Sequence, residues 1–177
     1  AVRRAVEQAK TVLIDRVIEI ADIKAVDLFS LPKISTGIKG IDKVLSGGIY
    51  LGQTVVLTGK RGDGKSTLGS QILANALNDG KAVFAYSGEL PDYFFKRWLD
   101  FQIAGQHNVI DRAGEAGFVN YFIPDSKVYE ISEWYRGRAY LFDNQSTEDS
   151  ELDYLLIAIE KTIQQYGIQL VLLDNLM

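Results

Sequence analysis

The residues best suited to chemistry form one short loop, GKRGDGKST, from Gly59 to Thr67. Its spacing, Gly59-x-x-x-x-Gly64-Lys65-Ser66, fits the phosphate-binding loop pattern in full. Glycines let a backbone turn tightly and direct successive N–H groups toward one anion, and a helix that starts near Lys65 adds its positive dipole end. We therefore expect these residues to bind the phosphates of a nucleotide: Gly59, Gly62, Asp63, Gly64, Lys65, Ser66 and Thr67.

Two side chains of this loop, with a third one downstream, have the chemistry to handle a phosphate and its metal. Lys65 can reach the β- and γ-phosphates, and the Ser66 hydroxyl can ligate Mg²⁺. A second metal ligand is expected from an Asp at the end of an apolar strand. The run LVLLD, which ends at Asp174, supplies that residue. We expect Ser66 and Asp174 to hold the metal.

Hydrolysis needs a further group that activates water. The residue after Asp174 is Asn175, not a glutamate, so this group must come from elsewhere. Glu89 follows the predicted strand Ala82–Tyr86, and ligands of open α/β sheets bind at the carboxyl ends of strands. Glu89 is therefore the candidate base. The alternatives for Glu89 are a solvated loop residue or a cap for the next helix.

Lys60 and Arg61, at the tip of the loop, are open to two interpretations. Their positive charges can contact phosphate, or they can be ordinary solvated surface charges. The pattern of the loop does not depend on their side chains.

Alternating strands and helices must position these groups. The spacing predicts strands over residues 53–58, 82–86, 138–142 and 170–174, with weaker strand material over 118–123. It predicts helices over 65–79, 92–104, 126–135 and 148–166, and a short one over 38–45 capped by Ser35 or Thr36. Helices between strands imply parallel crossovers and a three-layer α/β sandwich with a mainly parallel sheet.

The first part of the chain has a different character. Residues 1–20 carry apolar side chains three and four positions apart, which predicts an amphipathic helix. We expect residues 1–30 to form a helix and loop outside the compact domain, which would occupy residues 31–177.

Composition excludes several classes of protein. The net charge of −4 argues against a large basic nucleic-acid surface, and a chain with no cysteine and one histidine offers neither a disulfide framework nor a zinc site. No apolar run reaches the ~18 residues of a membrane span. We therefore expect no membrane contact and a cytoplasmic location. The chain starts at Ala1 and ends just after a strand, which suggests a piece of a longer protein.

Together, the segments GKRGDGKST, YSGELP and VLLDN resemble those of RecA-like P-loop ATPases. The closer likeness, carried by STGIKGIDKVLSGGIYLGQ and YSGELPDYFFKRWL, is to replicative hexameric DNA helicases of the DnaB and Twinkle-like group, particularly phage-type primase-helicases. It covers about residues 34–177. The resemblance implies ATP and Mg²⁺ as cofactors, with Lys65 and Ser66 at the phosphates and metal. It implies Glu89 as catalytic base and Asp174 as second metal ligand.

The resemblance also implies a motor that unwinds DNA in a homo-oligomeric ring, a hexamer in that family, with residues 1–30 as linker. Residues 31–177 would be the N-terminal half of the ATPase core. An arginine finger and the loops for single-stranded DNA would lie in the missing half, so we expect poor hydrolysis and no unwinding by this chain alone. A primase domain upstream and a mitochondrial location stay open.

Three alternatives remain. The same motifs occur in RecA-, RadA- and KaiC-like recombination or regulatory ATPases. A small-molecule P-loop kinase would need lid arginines, for which Arg136 and Arg138 are candidates. A non-catalytic oligomerisation module would use nucleotide only as a structural ligand.

Five aromatic residues in the helix after Pro91 could stack on bases, although their helical spacing favours packing in the core: Tyr93, Phe94, Phe95, Trp98 and Phe101.

Overall fold

The computed structural model describes residues 18–114, 117–143 and 152–174. The chain divides into two compact units, Ala1–Ser30 and Leu31–Met177. In the described part of the first unit, residues Ile20–Asp22 form a short 3-10 turn. The predicted helix over 1–20 lies almost entirely outside the described residues, so its linker role stays a prediction.

The second unit alternates strands and helices. Its helices are α1 (Lys39–Val44), α2 (Lys65–Asn78), α3 (Asp92–Ala104), α4 (Asp125–Tyr135) and α5 (Leu152–Tyr166). Its strands are β1 (Lys33–Ile34), β2 (Ile49–Tyr50), β3 (Val83–Ser87), β4 (Ile110–Ala113), β5 (Val119–Phe122), β6 (Ala139–Leu141) and β7 (Leu170–Asp174). Strands β1 and β2 pair with each other, as do β4 and β5, and both pairs are antiparallel.

The central sheet has the order β6-β3-β7, and both pairings are parallel. Phe84 of β3 lies opposite Tyr140 on one side and Val171 on the other. At the carboxyl end of the sheet, Ser87 lies opposite Asp174. The register therefore brings the segment that follows β3 next to the end of β7.

Successive side chains of a strand point to opposite faces of the sheet. Both faces of the central sheet are covered by helices. On one face, Val83 and Ala85 pack in a core with Leu73 and Leu77 of α2 and with residues of α3. On the other face, Phe84 packs with Leu155 of α5. This three-layer arrangement confirms the α/β fold with a parallel sheet, consistent with a RecA-like P-loop ATPase.

One predicted strand is wrong. Residues 53–58 precede the phosphate loop, but the structure pairs them with no described strand and leaves them exposed. Val56, for example, keeps 78% of its surface exposed. A strand exists only through hydrogen bonds to a neighbour, and a β-branched composition cannot supply that neighbour.

The start of the domain also differs from prediction. Neither Ser35 nor Thr36 caps helix α1, whose N-cap is Ile38 without a side-chain bond. Instead, the Asp42 carboxylate accepts hydrogen bonds from the Ser35 hydroxyl and from both the N–H and the hydroxyl of Thr36. The Asn75 side chain of α2 donates to the Ser35 carbonyl at 3.0 Å. This network fastens the turn before α1 to the helix that follows the phosphate loop.

The aromatic residues of α3 divide between core and surface. Phe95 is buried, as the core interpretation predicts. Tyr93, Phe94 and Trp98 remain 44–60% exposed, although Trp98 is held by a hydrogen bond from Nε1 to the Ser70 hydroxyl. Helix α3 therefore serves mainly to pack on α2, with part of its aromatic surface left outside.

Among the described residues, no helix is both long and apolar enough to span a membrane.

Candidate nucleotide-binding site

The phosphate loop turns into α2 through glycines in the left-handed region. Gly62 has a φ of 86° and Gly64 a φ of 84°, values that residues with a side chain rarely adopt. Gly64 is the N-cap of α2 and makes no side-chain capping bond. The first N–H groups of a helix have no partner within the helix. The start of α2 therefore offers its N–H groups and its positive dipole end to an anion.

Inside the loop, Lys65 and Asp63 bond to the backbone. The Lys65 ammonium donates to the carbonyls of Gly59 at 3.0 Å and Lys60 at 2.9 Å. The Asp63 carboxylate accepts the N–H of Lys60 at 2.7 Å. Lys65 thus lies folded against the backbone of the loop. Lys60 takes part through its backbone, and Arg61 is exposed.

Helix α2 lies directly on β7. A Cβ added at Gly69 would be 3.0 Å from Cδ1 of Leu172, so the helix approaches the strand closely because this position has no side chain. Lys65 starts the same helix roughly 6 Å earlier, at 1.5 Å per residue. Asp174 ends the same strand roughly 7 Å later, at about 3.3 Å per residue. The contact between Gly69 and Leu172 therefore ties the element that carries Ser66 to the one that carries Asp174.

The segment that carries Glu89 is tied to the same place. The N–H of Gly88 donates to the Asp174 carbonyl at 3.0 Å. Ser87 is buried, and its hydroxyl accepts the N–H of Leu90 at 3.0 Å, which closes the turn around the exposed Glu89. Sequence reasoning missed Ser87. Its role could be predicted from a serine that ends a buried strand just before a turn, because the hydroxyl of such a serine can bond to the nearby backbone.

A metal would be held here by few protein ligands. Within the described part of the chain, no cluster of three or more histidine, cysteine, aspartate or glutamate side chains forms a site. Mg²⁺ bound with a nucleotide commonly uses one or two protein oxygens together with phosphate oxygens and water. Ser66 and Asp174 offer a hydroxyl and a carboxylate of that type. Asn175 lies outside the described residues.

Comparisons with known proteins identify a family model for most of the chain and relatives that match parts of it. The family model described as "ATPase: KaiC" matches residues 34–177. The DNA repair protein RadA of Escherichia coli (strain K12) is 34% identical over 73 residues, which are 41% of this chain and 16% of RadA. A UPF0273 protein of Pyrobaculum aerophilum is 41% identical over 63 residues, which are 35% of this chain and 22% of that protein.

A longer match is to the circadian clock oscillator protein KaiC of Parathermosynechococcus lividus. It is 32% identical over 108 residues, which are 60% of this chain and 19% of KaiC. The matched stretches thus span less than a quarter of the length of each of these three relatives.

These matches correct the predicted likeness to DnaB-type replicative helicases, which is wrong. The family model and the relatives are KaiC- and RadA-like, as the alternative interpretation has it. The segments around Lys65, Glu89 and Asp174 are common to RecA-like ATPases as a class, so they could not decide between its branches. The helix after Pro91, which carries the likeness to helicases, does not decide between them either. Its buried residues, such as Phe95 and Leu99, pack in the core.

Proposed function

The chain belongs to the KaiC family of ATPases, and we propose from this that residues 59–67 bind ATP with Mg²⁺ for hydrolysis of the γ-phosphate. The observation that carries the proposal is the start of α2. A left-handed Gly64 without a side-chain cap precedes a helix that begins with Lys65. Such a helix start favours an anion, and the lysine adds a mobile positive charge beside it.

In this proposal, Lys65 exchanges its two loop carbonyls for phosphate oxygens when the nucleotide binds. The bonds to Gly59 and Lys60 keep the ammonium in the loop before that moment. Lys65 then stabilises the charge that grows on the phosphates during transfer. The loop N–H groups and Lys65 together orient the triphosphate.

Ser66 and Asp174 are proposed to hold Mg²⁺, which neutralises charge on the phosphate oxygens when it is bound. Ser66 is in the first turn of α2, and Asp174 ends β7, the strand on which α2 packs. The support for this pair is the close packing of α2 on β7 at Gly69.

Glu89 is proposed to accept the proton of the attacking water. Two hydrogen bonds hold the residues on either side of it: the Ser87 hydroxyl accepts the Leu90 N–H, and the Gly88 N–H donates to the Asp174 carbonyl. The support for this role is that the turn which carries Glu89 is hydrogen-bonded to the end of β7. General-base catalysis by a positioned side chain contributes typically about 10²–10⁴ in rate.

The kinase alternative loses support from its arginine candidates. Arg136 is engaged with Glu133 one helical turn away. Arg138 donates to the carbonyls of Leu77 and Trp134, and therefore joins α2, α4 and the start of β6. Both side chains are occupied by structural contacts, and neither is placed as a mobile lid residue.

The test is titration of this chain with a fluorescent, non-hydrolysable ATP analogue and Mg²⁺, followed by single-turnover hydrolysis of ATP by the full-length protein. We expect Lys65→Ala to lose most of the binding. We expect Glu89→Gln to bind normally and to lose turnover by at least about 10²-fold. Equal binding by wild type and Lys65→Ala would contradict the proposed site. Lys65-dependent binding with no turnover in the full-length protein, whether wild type or Glu89→Gln, would favour the non-catalytic module.

Self-association and single-stranded DNA stay part of the proposal as expected partners. A neighbouring subunit can supply an arginine that accelerates phosphoryl transfer. Light scattering with and without the ATP analogue tests self-association. The turnover rate of the full-length protein with and without single-stranded DNA tests the second partner.

A further inference from the structure

We propose that Asp63 is a positioning residue that keeps the phosphate loop in its binding shape by holding the backbone of Lys60. This inference rests on the proposed function of the loop in nucleotide binding. The loop pattern allows many side chains at this position, so the pattern itself assigns no task to the side chain of Asp63.

The evidence is a reciprocal pair of hydrogen bonds. The Lys60 N–H donates to Oδ2 of Asp63 at 2.7 Å, and the Asp63 N–H donates to the Lys60 carbonyl at 3.2 Å. Residues 60–63 are thereby closed into a turn from both ends. A carboxylate that accepts a backbone N–H makes one of the stronger bonds of this kind.

Lys65 makes this turn important for binding. Its ammonium bonds to the carbonyls of Gly59 and Lys60, so the Lys60 carbonyl accepts from both Lys65 and the Asp63 N–H. When phosphate draws Lys65 away, the loop loses the two bonds from the ammonium. The two bonds between Lys60 and Asp63 involve no group of Lys65, so they can persist and keep the turn closed.

The surroundings of Asp63 fit this task. Gly62 and Gly64 flank it with positive φ angles, so the chain turns sharply on both sides of the residue. A Cβ added at Gly59 would lie 3.2 Å from Oδ2 of Asp63. The absence of a side chain at Gly59 thus leaves room for the carboxylate. The bond between the Asp63 carboxylate and the Lys60 N–H therefore explains both the aspartate at position 63 and the glycine at position 59.

The acceptor and the charge of Asp63 have opposite consequences. The acceptor closes the turn, whereas the negative charge repels a polyphosphate. Asn keeps an oxygen that can accept the Lys60 N–H but carries no charge, and Ala keeps neither. We expect Asp63→Ala to weaken nucleotide binding about fivefold, the typical effect of losing one side-chain bond to a backbone N–H. We expect Asp63→Asn to bind at least as tightly as wild type.

The experiment compares the dissociation constants of the fluorescent ATP analogue with Mg²⁺ for the wild-type chain, Asp63→Ala and Asp63→Asn. Asp79→Ala is the matched control, because it removes the same charge from the exposed far end of α2, about 21 Å away. Thermal unfolding of each variant accompanies the titrations. Asp63 is exposed, so we expect unchanged unfolding midpoints.

Loss of binding in Asp63→Ala with rescue in Asp63→Asn supports the inference. Equal affinities of Asp63→Ala and Asp63→Asn, whether above or below that of wild type, would overturn it, because the acceptor would then be irrelevant. Failure of the proposed function looks different: wild type itself would bind no analogue, or Lys65→Ala would bind as wild type does. The two failures are therefore distinguishable in one series of titrations.

Discussion

Asp42→Ala is the substitution whose cost follows most directly from the contacts. The Asp42 carboxylate accepts from the Ser35 hydroxyl at 2.7 Å, the Thr36 N–H at 2.8 Å and the Thr36 hydroxyl at 2.7 Å. Thr36 is only 1% exposed. The turn that Asp42 holds also presents the Ser35 carbonyl to Asn75 of α2. Removal of the carboxylate therefore leaves donors without an acceptor inside the domain.

The loss of stability in Asp42→Ala depends on which of the stranded donors water can reach. Ser35 is half-buried, so water can replace part of its lost bond. The two donors of Thr36 are buried, and an unmet buried donor costs about 1–3 kcal/mol. With some access of water through the space left by Asp42, we expect a loss of about 2–4 kcal/mol in the free energy of unfolding. For a chain of this length that corresponds to a fall of roughly 5–15 °C in the unfolding midpoint.

The assay is urea unfolding followed by circular dichroism. The matched control is Asp27→Ala, which removes a carboxylate that accepts the Phe29 N–H at 3.0 Å in an exposed turn. We expect that control to change stability by less than about 0.5 kcal/mol. Equal stability of the two variants would refute the reasoning. Adding Thr36→Val to Asp42→Ala should cost less than the sum of the two single changes, because it removes one of the stranded donors.

The pH dependence of stability is a second test of the hydrogen bonds that Asp42 accepts. Burial raises the pKa of the Asp42 carboxyl, but hydrogen bonds from Ser35, Thr36 and Gly37 outweigh it and bring the pKa below its usual 3.8. A folded-state pKa below the unfolded value stabilises the fold above the unfolded pKa, and the benefit disappears as pH falls through the folded one. The stability gap between wild type and Asp42→Ala should therefore narrow below about pH 3.8. A gap independent of pH would show that the charge of Asp42 is not what the turn uses.

Two further substitutions test the packing around the site. Gly69→Val should lower stability by about 1–3 kcal/mol, because the new side chain overlaps Leu172; urea unfolding beside Asn78→Val, at the exposed end of α2, checks it. Asp100→Ala should cost about 1–3 kcal/mol, because it leaves the Tyr135 hydroxyl without the carboxylate that joins α3 to α4. The control Glu130→Ala, in an exposed ion pair, should change stability by less than about 1 kcal/mol in the same assay.

Much of the candidate site could be predicted because its signals are local. The loop pattern from Gly59 to Ser66 occupies consecutive residues, and the preference of each residue there follows from its own backbone and side-chain chemistry. The periodicity that predicts α2 and the apolar run that predicts β7 are local as well. Family membership was harder, because the motifs around Glu89 and Asp174 belong to the wider class of RecA-like ATPases.

Contacts between distant parts of the chain could not be predicted in this way. Even the contacts of Asp42 with Ser35 and Thr36, seven and six residues earlier, depend on a turn whose shape local residue preferences do not determine. The predicted strand over residues 53–58 failed for a related reason, since strand formation depends on a hydrogen-bonding neighbour and not on composition alone.

The sequence by itself therefore determined the phosphate loop, the helix that follows it and the alternation of strands and helices. Only the tertiary structure decided that Ser87 lies opposite Asp174, and that Gly69 allows α2 to rest on Leu172. These two contacts join the segments of the proposed site. Each depends on strand register and on the fit between packed surfaces, which are properties of residues far apart in the chain and not of any one stretch of it.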